Sequence, residues 1–241
     1  MENKYSQKNF IRRSKMPVIG KKFLNYEITQ NCFKINIMKW VKSLILIFLV
    51  FRLFVSSETK LVNIKDFIPD IVLDIRYATE KNFTKKVLYP LPVCFVAEEV
   101  AIALRKVNNE LKKYGYKLKI FDGYRPLSVQ KILWEFCPNP KFIANPEKNP
   151  VHCKGYAVDI SLVDLNGKDV LMPTDYDEFS KKAYSNYNNL PPLAIKHRKI
   201  LHEVMKKYGF IPAKTEWWHF NYKNYKDKPI LDIPIENLIN F

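Results

Sequence analysis

The sequence has no C-x-x-C pair, no long run of lysine and arginine, no internal repeat and no low-complexity tract. Without a C-x-x-C pair, the chain resembles neither a zinc knuckle nor a thioredoxin-like redox protein. Its four cysteines are Cys32, Cys94, Cys137 and Cys153. The last three lie in the body of the protein, so at least one thiol there is expected to be free. A disulfide between Cys94 and Cys137 remains possible if the body is exported to an oxidising compartment.

The positive charge of the chain is concentrated near its beginning. The formal net charge is +16, which by itself would suggest a nucleic-acid partner. Residues 1–57 carry eleven Lys and Arg against two Asp and Glu, whereas the other 184 residues carry 29 against 22. Interspersed charges of both signs are typical of a solvated surface. We therefore predict no nucleic-acid partner.

Residues 43–55 form the longest apolar stretch, SLILIFLVFRLFV, which one arginine interrupts. A membrane-spanning helix needs about 20 apolar residues, and the apolar region of an export signal has about 7–15. Because the preceding MKWVK is basic, we predict a signal peptide over residues 38–57, with an uncleaved membrane anchor as the alternative. A signal peptide and an anchor would each make the protein periplasmic or envelope-associated. A cytoplasmic location is the alternative if neither is present. If translation starts at Met38, residues 1–37 are a basic extension outside the natural protein.

The body, residues 58–241, is long enough for one domain, and at 47% hydrophobic residues the chain can bury a core. Alternating or β-branched apolar stretches predict strands, and apolar residues at helical spacing predict helices. Strands are predicted over 70–79, 117–122, 157–164 and 215–222, and helices over 96–114, 127–136 and 191–208. Because these elements alternate without regular βαβ spacing, we predict a single α+β domain with a largely antiparallel central sheet flanked by helices.

The chain contains only four histidines: His152, His197, His202 and His219. His197 and His202 lie five residues apart in one predicted helix. This spacing rotates the two side chains about 140° from one another, since a helix has about 3.6 residues per turn. We therefore expect both to be core or surface residues that share no ligand.

The other two histidines accompany acidic residues in apolar surroundings. His152, Asp159 and His219 offer an N, an O and an N ligand, a set that a catalytic zinc accepts while it keeps a fourth position for water. Glu216 is then a candidate general base. Asp159 has an alternative role as a hydrogen-bonded structural carboxylate in its strand. In an ideal strand Glu216 and His219 point to opposite faces, so only a bulge or the end of the strand brings both to one site.

Several short motifs recur in the order found in a known family. They are DIRYATEKNF, FDGYRP, HCKGYAVD, PTDYDEF, and LHEVMKKYGF followed by EWWHF. Over residues 60–222 the chain resembles the VanX-like D-alanyl-D-alanine dipeptidases, which are related to the zinc D-alanyl-D-alanine carboxypeptidases. The resemblance implies one zinc ion per chain, held at the sheet by His152, Asp159 and His219. It also implies that Glu216 is the catalytic acid and base.

Two further roles follow from the resemblance. Arg125 of FDGYRP would stabilise the transition state, because a fixed guanidinium compensates negative charge on the carbonyl oxygen. Taken alone, a single arginine after a turn is more often part of a structural salt bridge. Asp177 of PTDYDEF would pair with the free ammonium of the substrate and so restrict it to two residues. The implied activity is hydrolysis of D-Ala-D-Ala, or a closely related D-containing dipeptide, in peptidoglycan metabolism.

Three positions depart from the family pattern. Pro150 stands where the family usually has serine, and Lys85 and Pro173 stand where it has glycine. These departures leave the implied zinc ligands and the acid and base intact and put the identity of the dipeptide in question. Two alternatives remain open, namely a D,D- or L,D-carboxypeptidase acting on longer peptidoglycan stem peptides and a non-catalytic cell-wall-binding protein. The second alternative would not need a general base.

Overall fold

The structure, a computed structural model, describes residues 40–43 and 59–239. The chain divides into two units, residues 1–57 and 58–241. Residues 40–43 form a helical turn, and the rest of the signal or anchor predicted over 38–57 lies outside the described residues. Within the two described ranges, every helix is too short or too polar for a membrane span.

The second unit combines short strands with three longer helices. In residues 59–239 the strands are β1 (Leu61–Asn63), β2 (Val72–Leu73), β3 (Phe95–Ala97), β4 (Tyr116–Asp122), β5 (Ala157–Asp164), β6 (Phe210–Pro212) and β7 (His219–Tyr222). The α-helices are α1 (Ile64–Phe67), α2 (Glu98–Lys112), α3 (Leu127–Phe136) and α4 (Pro192–Lys207). Short 3₁₀ turns span Arg76–Ala78, Val151–Lys154, Lys181–Ala183 and Ile235–Leu238.

The main sheet has the strand order β2-β4-β5-β7-β6. Only the edge pair β2–β4 is parallel, and the other three pairs are antiparallel. β1 and β3 form a separate antiparallel pair. The predicted α+β fold with a largely antiparallel sheet flanked by helices is therefore confirmed. In the centre of this sheet Asp159 is the cross-strand partner of both Asp122 and His219, so the sheet itself brings these side chains together.

Helix α2 covers the sheet with the apolar face that its sequence predicts. Val100, Leu104, Val107 and Leu111 are all fully buried. This helix packs against β4 and α4. The turn after α2 ends at Gly115, whose φ of +84° lies in the left-handed region that glycine adopts without strain. Burial of one helical stripe against a sheet is the ordinary source of stability for such a layer.

Two predicted strands are shorter than expected. Of residues 70–79 only β2 is a strand, because the chain turns at Arg76–Ala78 and buries Tyr77, whose carbonyl accepts the N–H groups of Leu88 and Tyr89. Of residues 215–222 only β7 is a strand. The Cys94–Cys137 disulfide, which the sequence leaves possible, is not formed here, since both residues are free thiols. Cys94 is packed closely against Gly123, and Cys137 follows α3.

Candidate active site

The three candidate metal ligands come from two strands and one tight turn. Asp159 on β5 and His219 on β7 are cross-strand partners. His152 lies in the 3₁₀ turn just before β5, which ends at Gly155 with a φ of +74°. A side chain at Gly155 would also collide with Leu61 and the backbone of Ala97. Glycine is therefore required for the turn that returns His152 to the sheet.

The ligand atoms of these residues form a compact triangle. His219 Nδ1 lies 3.1 Å from His152 Nε2 and 3.0 Å from Asp159 Oδ1. His152 Nε2 lies 3.4 Å from Asp159 Oδ1. A tetrahedral zinc site with bonds of about 2.0–2.2 Å has edges of about 3.3–3.6 Å. The triangle thus has nearly the size that three ligands of one zinc ion require.

The hydrogen bonds of the two histidines determine where their lone pairs point. His152 Nδ1 donates to the Gly123 carbonyl at 2.7 Å, and His219 Nε2 donates to Asn221 Oδ1 at 3.0 Å. In the neutral form in which histidine binds a metal, the opposite nitrogen of each ring therefore presents a lone pair to Asp159. Three lone pairs at this separation repel one another unless a cation lies between them. In histidines that bind metals, the ring nitrogen that faces away from the metal typically donates a hydrogen bond in this way.

Glu216 lies just before β7 begins. The His219 N–H donates to the Glu216 carbonyl in a turn, at 3.4 Å, so the alternation of an ideal strand does not apply between the two residues. Both line the same cavity of about 190 Å³. Burial, followed by the charges of Asp159 and Asp177, raises the pKa of the Glu216 carboxyl well above its ordinary value. No group in the described part of the chain donates a hydrogen bond to this carboxyl group, which leaves it available to a water molecule or a substrate.

Arg125 lines the cavity and is also held in a buried salt bridge. Its Nε and Nη2 donate to Asp122 Oδ2 at 2.9 and 2.7 Å, and its Nη1 donates to Gln130 Oε1 at 2.7 Å. The guanidinium carbon lies 5.1 Å from the centre of the Tyr77 ring, and Nη2 lies 3.7 Å from Asp159 Oδ2. The structural and the functional interpretation of Arg125 are therefore compatible, since the salt bridge fixes a cation at the wall of the cavity.

Asp177 lines the same cavity from the segment after β5. Its φ of +60° is unusual for a residue with a side chain, although Asp tolerates this region better than most. The Tyr77 hydroxyl donates to Asp177 Oδ2 at 3.4 Å. Burial, and then the charge of Asp159, raises the pKa of Asp177 well above its ordinary value. A carboxyl group in such a position gains from an ammonium partner.

The cavity brings together all six residues that the sequence predicts for the site: Arg125, His152, Asp159, Asp177, Glu216 and His219. His197 and His202 do not line it. The rings of these two histidines bond to the carbonyls of Leu171 and Trp217 in the core. Both are therefore core residues, one of the two positions that the sequence analysis expected for them.

Sequence reasoning missed the residues that hold the site in place. Asp122 and Gln130 orient Arg125, and the Tyr176 hydroxyl donates to Asp159 Oδ2 at 3.0 Å. One signal was available, since Asp122 ends the apolar stretch KLKIFD much as Asp159 interrupts its own strand. A carboxylate in such a stretch requires a partner.

The cavity thus combines an N, O, N set of side chains that could hold a metal ion with a glutamate and an arginine. The chain belongs to the Peptidase_M15 family, described as D-Ala-D-Ala dipeptidase, whose model matches residues 57–236. The protein is therefore related to peptidases.

Individual relatives carry the same description. The D-alanyl-D-alanine dipeptidase of Escherichia coli (strain K12) is 31% identical over 176 residues, which cover 73% of this chain and 91% of the relative. The D-alanyl-D-alanine dipeptidase of Enterococcus faecalis (strain ATCC 700802 / V583) is 27% identical over 168 residues, covering 61% and 83%. Among solved structures, the LD-carboxypeptidase LdcB is 22% identical, with a TM-score of 0.41 and coverage of 71% and 72%.

Proposed function

We propose that this protein is a zinc-dependent dipeptidase that hydrolyses D-Ala-D-Ala, or a closely related D-containing dipeptide, in peptidoglycan metabolism. The observation that carries the proposal is the triangle of His152 Nε2, Asp159 Oδ1 and His219 Nδ1, with separations of 3.0–3.4 Å, in one cavity with Glu216. These three residues would hold one zinc ion per chain. Membership of the family and the names of the relatives from E. coli and E. faecalis support the choice of substrate.

The chemistry divides between the bound ion and the side chains of the cavity. When bound, zinc would act as a Lewis acid on a water molecule and on the peptide carbonyl. Glu216 accepts a proton from the attacking water at its carboxylate and returns it to the nitrogen of the leaving amine. A carboxyl group with a raised pKa is suited to both steps, because it holds a proton more readily than an ordinary carboxylate and can still return it.

Arg125 stabilises the negative charge that develops on the carbonyl oxygen. Its Nη1 and Nη2 each use one hydrogen on Gln130 or Asp122, which leaves one hydrogen on each nitrogen for a ligand. Because these partners fix the guanidinium in advance, little reorganisation is needed during the reaction.

Asp177 holds the substrate's free ammonium. Its carboxyl group lines the cavity together with the Tyr77 ring, and no cationic side chain of the described residues pairs with it. A cavity of about 190 Å³ lined by such an acid suits a small peptide with a free amino terminus better than a long stem peptide.

The experiment that tests this function is hydrolysis by the purified protein loaded with zinc. Release of free alanine, of either configuration, is measured from D-Ala-D-Ala, L-Ala-L-Ala and a stem pentapeptide, with Glu216→Gln protein as the control for contaminating activity. We expect turnover of D-Ala-D-Ala alone. Preferential cleavage of the pentapeptide would favour assignment as a carboxypeptidase over assignment as a dipeptidase. Absence of turnover with all three substrates would contradict a catalytic role.

We also propose that the protein is exported to the periplasm or held at the envelope. The support is the short apolar stretch over 43–55 behind a basic segment. When expressed from Met38 with a C-terminal tag, the protein is expected in the envelope or periplasmic fraction. A variant that lacks residues 43–55 is expected in the cytosol. Cytosolic recovery of both proteins would contradict export.

A further inference from the structure

A second cavity, of about 580 Å³, shares Tyr176 and Asp177 with the active site. Asp177 therefore lies at the boundary between the two cavities. The loop formed by residues 79–88 contributes Lys81 and Lys85 to the lining of the second cavity. A group attached next to the substrate's ammonium would meet this cavity first.

The loop that carries the two lysines is organised around one buried amide. Asn82 is 4% exposed, and its Nδ2 donates to the carbonyls of Arg76, Thr79 and Lys86. Its Oδ1 accepts from both the backbone N–H and the hydroxyl of Thr84. Because every hydrogen-bonding group of this side chain is used, the loop holds a defined shape and places its lysines in advance.

Lys85 occupies a backbone conformation that favours glycine. Its φ is +56°, and its own N–H closes a turn on the Asn82 carbonyl. A side chain in the left-handed region carries a strain that glycine avoids. Within residues 59–239 the ammonium groups of Lys81 and Lys85 have no acidic partner, so no ion pair of the fold explains a lysine at this position. Strained residues of this kind often mark functional positions.

The other charges around the second cavity are already paired. Arg76 bonds to Asp74 at 3.0 Å and to Asp175 at 3.3 Å. Asp169 is paired with Lys119. The charges left for a ligand are the acid Asp177 on one side and the two lysines on the other. This distribution complements a ligand that carries an ammonium group and a carboxylate a few bonds apart.

We propose that the second cavity is a subsite for an acidic side chain on the N-terminal residue of the dipeptide. The α-ammonium of that residue binds Asp177, and its side-chain carboxylate binds Lys85 with help from Lys81. The subsite rests on the proposed dipeptidase function and specifies which dipeptides the site prefers. Since ion pairs of exposed lysines are weak, we expect a preference of about 3- to 10-fold that decreases with salt.

The test compares two peptides of nearly equal shape, D-Glu-D-Ala and D-Gln-D-Ala, which differ in one carboxylate. The wild-type protein is expected to show a 3- to 10-fold higher kcat/KM for D-Glu-D-Ala. Lys85→Asn should bring this ratio close to one, because it removes the cation and asparagine tolerates a positive φ. Lys86→Asn removes the same charge from the neighbouring exposed position outside the cavity and should leave the ratio unchanged. Thermal unfolding of both variants checks that they are folded.

A binding measurement separates failure of the subsite from failure of the proposed function. Glu216→Gln protein loaded with zinc is titrated with the same two peptides in a calorimeter. Tighter binding of D-Glu-D-Ala without any hydrolysis by the wild type would support the subsite and contradict the dipeptidase. Hydrolysis of D-Ala-D-Ala with equal kcat/KM and equal affinity for the two test peptides would overturn the subsite alone. If Lys85→Asn leaves the ratio of kcat/KM for D-Glu-D-Ala over D-Gln-D-Ala unchanged, the subsite proposal is also overturned.

Discussion

Substitution of Asp122 tests whether the candidate active site depends on the buried ion pair between Asp122 and Arg125, which lies outside the set of candidate metal ligands. The carboxylate is 1% exposed and accepts four hydrogen bonds. Its Oδ1 accepts from the Tyr89 hydroxyl and the Gly123 N–H, both at 2.9 Å. Its Oδ2 accepts from two nitrogens of Arg125. Asp122→Asn keeps the shape of the side chain but turns one acceptor into a donor.

The cost of this substitution follows from the burial of its partner. The amide nitrogen must face either Arg125 or the pair of donors from Tyr89 and Gly123, and both arrangements place donor against donor. Arg125, which is 5% exposed, also loses its main counter-ion. Removal of one partner from a buried ion pair costs about 3–5 kcal/mol, a large part of the roughly 5–15 kcal/mol that stabilises a typical domain.

The same substitution is expected to lower turnover. The remaining carboxylate near Arg125 is Asp159, 3.7 Å from Nη2, so the guanidinium is expected to move toward a candidate metal ligand and away from the carbonyl oxygen of the substrate. The fall in kcat should be on the order of 10²–10³, the scale for loss of one oxyanion donor.

Urea unfolding and steady-state kinetics measure both effects. The matched control is Asp74→Asn, which breaks the Asp74–Arg76 pair, whose aspartate side chain is 34% exposed. It should cost less than Asp122→Asn, because the Asp74 carboxylate is partly solvated and Arg76 keeps Asp175 as a partner at 3.3 Å. If Asp122→Asn destabilises the protein no more than Asp74→Asn and keeps its kcat, Asp122 does not hold Arg125 in place.

Four further outcomes are expected. Glu216→Gln should keep zinc, measured by elemental analysis, but lose about 10²–10⁴-fold in kcat, because an amide cannot transfer the proton; loss of zinc in parallel with activity would make Glu216 a ligand. His152→Ala should lose zinc while His197→Ala keeps it, and full retention in His152→Ala would remove that residue from the ligand set. Arg125→Lys should keep zinc and lower kcat about 10²–10³-fold, since a single ammonium replaces the planar fork; an unchanged kcat would contradict its role. His202, whose pKa burial lowers to about 4 from 6.5, binds fewer protons folded than unfolded. The free energy of unfolding should therefore fall by up to about 3 kcal/mol between about pH 6.5 and 4, and His202→Gln should flatten that part of the urea-unfolding profile.

The elements that the sequence predicts well are those with a strong local pattern. The predictions for 127–136 and 157–164 coincide with α3 and β5, and 117–122 differs from β4 by one residue. By contrast, β1, β3 and β6 have three residues each and were not predicted. Three residues show no periodicity, and such strands exist only because distant partners pair with them.

The residue types of the site were accessible from the sequence, but apart from the signal at Asp122 the residues that support them were not. Histidine, aspartate and glutamate in apolar surroundings point to a metal and a base through their residue types alone. Asp122, Gln130 and Tyr176 act through contacts with residues that local patterns do not link to them, for example the bond from Tyr176 to Asp159. A tyrosine or glutamine is ordinary in composition, so only the fold identifies these supports.

The start of β7 explains how one short segment contributes both core and chemistry. Trp217 and Trp218 are each 1% exposed, although consecutive residues of a strand would point to opposite faces. Both are buried because the chain turns at residues 217–218, where the His219 N–H donates to the Glu216 carbonyl and the Trp217 N–H donates to the distant Ala183 carbonyl. The same turn places Glu216 beside the cavity before the strand begins at His219.

The positions that depart from the family pattern lie off the main sheet. Asp159 and His219 are paired across β5 and β7, where a change of register would move every side chain of a strand to the other face. Pro150, Lys85 and Pro173 lie in turns and loops outside the strands. A loop tolerates substitution without disturbing the ligands, provided that it keeps its own turn geometry. In the proposed mechanism, metal binding and proton transfer therefore depend on the sheet, on the 3₁₀ turn that carries His152 and on the turn that leads into β7, whereas the choice of dipeptide can change through loop residues such as Lys85.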